Sequence, residues 1–317
     1  MRRGAPSTSL NLLMASFAEN TLNQYNSSLK KWWYFCQDNH YNYCEASVSQ
    51  VIQFFTESFE TGASYSTLNT MRSALSLLLD PSVTSNIMIT RLLKGVFRLK
   101  PPTPKYDVTW DPIIVLNYLS DFYPYDNICL RDLSAKTVTL LAIASAQRMQ
   151  TLSLIKITNI VIESDCVIIK ITDLIKTSRP GAYQPLIRLP FIIENPKICP
   201  ALALTSYMNK TLNIRNCESG SLFISFRKPH NKVGPQTLAH WVKSTLQKSG
   251  IDTNIFGAHS TRHAATSAAR RAGVSLQVVR RAAGWSDSSN VFLKYYNRDV
   301  NVCATNNEFA NSVFNHT

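Results

Sequence analysis

Large apolar residues recur every three or four positions between Glu19 and Asp38, at Leu22, Tyr25, Leu29, Trp32, Trp33 and Cys36. That period paints one face of a helix and leaves the other polar. The same pattern predicts helices over Val48 to Phe59, Ser64 to Leu79 and Thr84 to Leu99, punctuated by Gly62-Ala63 and by Asp80-Pro81. Residues 1–99 therefore read as an all-helical bundle. Lys100-Pro101-Pro102-Thr103-Pro104-Lys105 breaks the pattern, because three prolines in four positions remove backbone donors and force extended geometry. A linker is expected over 100–108.

Helical periodicity returns at 111–123 and 131–146, and then the period changes. Val167-Ile168-Ile169-Lys170-Ile171 and Leu186-Ile187-Arg188-Leu189 are short β-branched runs flanking Lys176-Thr177-Ser178-Arg179-Pro180-Gly181, the pattern of a hairpin or small meander. Helices are expected again at 200–211, 235–249, 260–272, 275–283 and 288–297. The second domain, 109–298, should be mostly helical with one small antiparallel sheet, followed by a polar, weakly patterned tail over 299–317.

With 317 residues, 45% of them hydrophobic, the chain has material for two domains with cores of their own. A net charge of +13 points to a polyanionic partner. Residues 101–317 carry most of it, +10 against +3 for residues 1–100. Seven scattered cysteines without a Cys-x-x-Cys pair or zinc-type spacing suggest reduced thiols. The stretch Met1 to Ser9 has no signal-type apolar core, and no run of about 18 apolar residues occurs, so an intracellular protein that spans no membrane is expected.

Chemistry concentrates near the end of the chain. In Ala258-His259-Ser260-Thr261-Arg262, His259 and Arg262 stand three apart at a predicted helix and can aim at one phosphate. Ala283-Gly284-Trp285-Ser286 and Phe292-Leu293-Lys294-Tyr295-Tyr296-Asn297-Arg298 follow. From 259 to 298 there are seven basic residues against one acid, so a tyrosine there sits in a strongly positive setting. Further upstream, Ala144-Ser145-Ala146-Gln147-Arg148-Met149 reads as a helix end of small residues, an arginine, then a new helix.

The order Arg148, Lys176, His259, Arg262, Trp285, Tyr296 resembles the catalytic set of the tyrosine recombinase, or phage integrase, family, over about residues 10–298. His-Ser-Thr-Arg, Ala-Gly-Trp-Ser and Phe-x-Lys-Tyr-Tyr-Asn-Arg look closest to recombinases of eukaryotic DIRS-like and Crypton mobile elements. The resemblance implies a mainly α fold: a helical SAM-like core-binding domain, then a mixed α/β catalytic domain with a small antiparallel sheet. It implies site-specific cleavage and rejoining of double-stranded DNA through a 3′-phosphotyrosine, with Tyr296 attacking, Arg148 and Arg262 on the non-bridging oxygens, Lys176 as acid, His259 moving protons and Trp285 packing and hydrogen-bonding. It further implies four protomers on paired DNA sites, a two-domain clamp around the duplex, no metal, no cofactor, and residence in the nucleus where the host is eukaryotic.

Two departures stand out. Where many members carry an acid three residues after the first arginine, this chain has Thr151, and Tyr295 adjoins Tyr296 as an alternative nucleophile. A relative that only binds DNA, and a type IB topoisomerase that relaxes supercoils, remain alternatives to a recombinase. Taken singly, each element also has an ordinary reading: a surface His/Arg pair, a solvated turn lysine, a helix cap with a core tryptophan. Candidate DNA-contacting residues are Arg72, Lys94, Arg179, Arg227, Lys228, Lys232, Arg270, Arg271, Arg280 and Arg281, each of which would otherwise be a solvated cation.

Overall fold

The computed structural model describes residues 6–103, 107–181, 184–215, 220–286, 293, 296 and 300. The chain divides into two units, Met1–Pro104 and Lys105–Thr317, each with its own core.

The first unit holds α1 (Leu10–Ala15), α2 (Glu19–Asp38), α3 (Val48–Glu60), α4 (Tyr65–Leu75), α5 (Pro81–Thr84) and α6 (Ile87–Leu99). Its core is built on Trp32, Phe55, Leu68, Leu75 and Ile89, all buried. The Trp32 indole N–H donates to the Tyr43 carbonyl at 2.9 Å, so the largest core residue buries no unsatisfied donor. Trp33, expected on the same face of α2, points away from the core and is 45% exposed. Ser47 and Gln50 form a capping box that starts α3. The helix expected to run from Thr84 begins at Ile87, because the Asn86 side chain accepts from the Met88 N–H and caps it there. The helix expected through Leu79 ends at Leu75, where the Ser76 hydroxyl turns back to the Ser73 carbonyl.

The second unit holds α7 (Pro112–Ser120), α8 (Leu130–Ser145), α9 (Met149–Ser153), β1 (Ile160–Ile162), β2 (Cys166–Lys170), β3 (Leu186–Pro190), α10 (Pro200–Thr211), α11 (Pro235–Lys248), α12 (Ser260–Arg271) and α13 (Leu276–Ala282). The Asp111 carboxylate caps α7, which stops at Ser120, short of its expected end at residue 123. The strands form one antiparallel sheet in the order β1-β2-β3. β1 was not foreseen, since its three residues are largely exposed and too short to show a period. α8 is the central element and touches α10, α11 and α12. It therefore buries nearly its whole circumference, Leu133, Val138, Leu141 and Ala142 included. Of the helix expected at 288–297, only Leu293 and Tyr296 fall within the described residues; the tail, apart from Val300, lies outside them.

Candidate active site

The site begins where α8 stops. Ala146 caps it in the left-handed region, φ 50°, and its N–H returns to the Ala142 carbonyl. The turn reverses the chain and leaves Arg148, extended, at the start of α9. Two side chains hold the turn. Gln147 is buried and donates to the Ala282 carbonyl at the end of α13, at 2.7 Å. Arg262 donates through Nη1 to the Ala146 carbonyl, at 2.7 Å. A peptide turn too short to have a core of its own is thus fixed from both sides.

A second turn leads into α12. The Ser260 hydroxyl donates to Gly257 O at 2.7 Å and accepts from the Trp110 indole at 2.8 Å, while Thr261 donates to Ala258 O. These bonds set His259 just ahead of the helix and Arg262 in its first turn, rather than both within it. Arg262 is 1% exposed, with its guanidinium carbon 4.3 Å from the Trp285 ring centroid and 5.5 Å from that of Tyr296. Among the described residues no carboxylate meets it, and its Nε and Nη2 are buried without a hydrogen-bond partner there. Burial first, and then the neighbouring charge of Arg148, push its pKa down to about 10; the Tyr296 hydroxyl works the other way.

Tyr296 lies in the middle of this arrangement. Its hydroxyl is 2.9 Å from His259 Nε2, and its carbonyl accepts from Ser267 Oγ at 2.5 Å. Its ring stacks on His263, centroids 4.0 Å apart and planes 19° from parallel, and leans on Trp285 at 4.8 Å. Ala146, Val279 and Ala283 complete the small apolar cluster beneath it.

The His259 pKa falls to about 4, through desolvation first and then the charges of Arg262, Arg148 and Lys176. Although the residue keeps an exposed edge, its imidazole is neutral at physiological pH. In the tautomer protonated at Nδ1, Nε2 is free to accept the tyrosine proton. Three cations from three segments therefore bear on one imidazole. Lys176 acts on it through its charge alone, from the exposed β2–β3 connection, and Arg148, half-buried, from the α8–α9 turn. No described side chain pairs with Arg148 or Lys176. Next to them is a cavity of about 220 Å³ lined by Gln147, Arg148, Met149, Ala258, His259 and Arg262, among others. Arg148 and Arg262 give this cavity the charge to hold an oxyanion, and the Tyr296 phenol is hydrogen-bonded to His259 in its wall.

The structure thus brings Arg148, His259, Arg262, Trp285 and Tyr296 together, with Lys176 near enough for its charge to act on His259. Tyr295 lies outside the described residues. Thr151, in the position of the family's acid, is buried in α9 and carries no charge to orient Arg148. Gln147, His263 and Ser267 were not singled out in the sequence. His263 follows His259 by four residues, one helical turn, which was the available signal; nothing local marks Gln147 or Ser267. Among the other basic candidates, Lys94 (α6), Arg179 (β2–β3 connection), Arg227, Lys228 and Lys232 (loop before α11), Arg271 (α12) and Arg281 (α13) are exposed. Arg72, Arg270 and Arg280 are partly buried, and Arg270 donates to the Val274 carbonyl beyond α12. The one group of metal-type ligands among the described residues, Glu163, Asp165 and Cys166, belongs to the β1–β2 turn and beginning of β2 and is not part of this cavity.

Fold and site define a class of enzyme that transfers DNA strands through a tyrosine. The phage integrase family profile matches residues 119–301, and that of the phage integrase N-terminal SAM-like domain matches residues 11–80. The chain belongs to the phage integrase family, the tyrosine recombinases, and its activity is site-specific cleavage and rejoining of DNA. Among solved structures it is similar to the XerH site-specific recombinase bound to a palindromic difH substrate in a post-cleavage complex, with 14% identity, a TM-score of 0.58, and coverage of 92% of this chain and 78% of that one. It is also similar to a lambda integrase dimer bound to a COC′ core site (14%, TM-score 0.54, 90% and 74%) and to the Tn1549 transposon integrase in complex with circular intermediate DNA (12%, TM-score 0.52, 83% and 85%). A search of curated proteins finds no match.

Proposed function

We propose that Tyr296 is the nucleophile, and that Arg148, Lys176, His259 and Arg262 form the phosphate site it attacks. Neutral His259 takes the phenol proton as the tyrosine oxygen bonds to phosphorus. Arg262 and Arg148 meet the two non-bridging oxygens and the charge that grows on them, and Lys176 gives a proton to the departing 5′-oxygen. Trp285 supports the Arg262 guanidinium and the tyrosine ring. Rejoining runs the same steps backwards from the 3′-phosphotyrosine, so the bond energy of the cut strand is conserved. The observation that carries this reading is the Tyr296 hydroxyl 2.9 Å from an imidazole that feels three cations.

The physiological substrate in this reading is duplex DNA held mainly by its backbone, and the working assembly is a tetramer on two paired sites. The fold is shared with a lambda integrase tetramer bound to a Holliday junction (14% identity, TM-score 0.54), which supports that assembly. The motif wording His-Ser-Thr-Arg and Ala-Gly-Trp-Ser favours a mobile-element recombinase of the DIRS-like or Crypton kind, acting in a nucleus. The test is a nicked suicide substrate carrying the element's own ends, on which the released short strand prevents rejoining. Wild-type protein accumulates a covalent protein–DNA adduct and Tyr296→Phe accumulates none. DNA binding without an adduct from wild type would identify a binding-only relative instead.

A further inference from the structure

A second cavity in the same unit, of about 350 Å³, is lined by residues of α7, α8 and α11 and of the loop before α11. Its size falls within the range of small-ligand pockets. Five basic side chains face it, Arg131, Lys136, Arg227, His240 and Lys248, against the single acid Asp132. The Asp132 carboxylate accepts from the Cys129 thiol, and no ion pair joins it to any of the five. Arg131 and Arg227 both lie over the Phe226 ring, at 5.2 and 5.9 Å, so two guanidiniums share one aromatic support. Lys136 is 1% exposed, whereas lysine is seldom fully buried unless paired. Among the described residues its ammonium meets only the Phe122 carbonyl at 2.5 Å and the Tyr125 ring face at 4.5 Å. Burial lowers its pKa to about 8, which leaves it mostly charged at neutral pH. Tyr118, Phe122 and Trp241 add apolar walls.

We infer that this cavity binds a nucleoside phosphate, its phosphates on the Arg131, Arg227 and Lys248 cluster and its base against the aromatic wall. None of these residues belongs to the Tyr296 site, so the inference goes beyond the strand-transfer reading and stands apart from it. Five basic side chains against one carboxylate, itself paired with no cation, leave an excess of positive charge that an anion stabilises, and the aromatic surface favours one that carries a planar ring. The same group is presented by a free nucleotide and by a nucleotide of a single strand.

The full chain is titrated with a fluorescent ATP analogue, with ATP, inorganic triphosphate and a short single-stranded oligonucleotide as competitors. Saturable binding is expected for wild type and a loss of at least tenfold for Arg131→Glu/Lys248→Glu, whose two positions are exposed, with adduct formation on the suicide substrate unchanged. Competition by ATP alone identifies a free nucleotide, and stronger competition by the oligonucleotide a nucleotide within a strand; either supports the site. The inference is overturned by absence of saturable binding, by equal binding to the double variant, or by inorganic triphosphate competing as well as ATP.

Discussion

Arg262 is a buried guanidinium satisfied by one backbone carbonyl where such a group ordinarily meets a carboxylate. Its two unpartnered nitrogens are what a phosphate oxygen would meet, so in the proposed mechanism the residue serves both folding and chemistry. Arg262→Ala should lower the rate of adduct formation by about a hundredfold or more, the scale of losing a preorganised donor to a developing oxyanion, as read by single-turnover kinetics. His259 yields a second prediction. Followed by NMR in the DNA-free protein, its imidazole should titrate near 4 and not near the ordinary 6.5. Because the folded state takes up this proton less readily than the unfolded chain, the contribution to stability is present above about 6.5 and is lost as pH falls toward 4. A midpoint near 6.5 would show that neither burial nor the three cations act on this ring as described.

At the scale of elements, the site depends on two turns more than on any helix. Ala146 holds φ 50° without being glycine, and the carbonyl it presents is the one that anchors Arg262. A β-branched side chain is strained there, so Ala146→Val should cost about 1–2 kcal/mol in urea denaturation and slow adduct formation, while Ala146→Gly keeps both close to wild type. The amphipathic helices were legible because burial of one face imposes a period on the sequence, as in α2 and α11. Arg148, Lys176, His259, Arg262, Trp285 and Tyr296 were legible because their order along the chain matches a family's. The ties that fix them were not. Gln147 reaching Ala282, Ser267 reaching Tyr296 and the His263 stack on Tyr296 join positions 29 to 135 residues apart, and only His263, one turn after His259, had a local signal. Helix ends at Leu75 and Ile87 were misread for a related reason, since single side-chain caps overrode a continuing apolar period.

For the whole molecule, an excess of positive charge on both units predicts binding to DNA that weakens linearly on a log–log plot against salt. Lys228→Ala/Lys232→Ala removes two exposed cations of the loop before α11. It should reduce the slope by about 2 if each meets a phosphate, measured by anisotropy across a salt series, and leave the slope unchanged if both are merely solvated. The central claim is that one phenol, placed by His259, His263 and Trp285, makes the covalent bond. Peptide mapping by mass spectrometry of the adduct trapped on nicked DNA tests it most directly. The nucleotide remnant is expected on Tyr296; a remnant on Tyr295, with Tyr296 unmodified, would contradict this assignment.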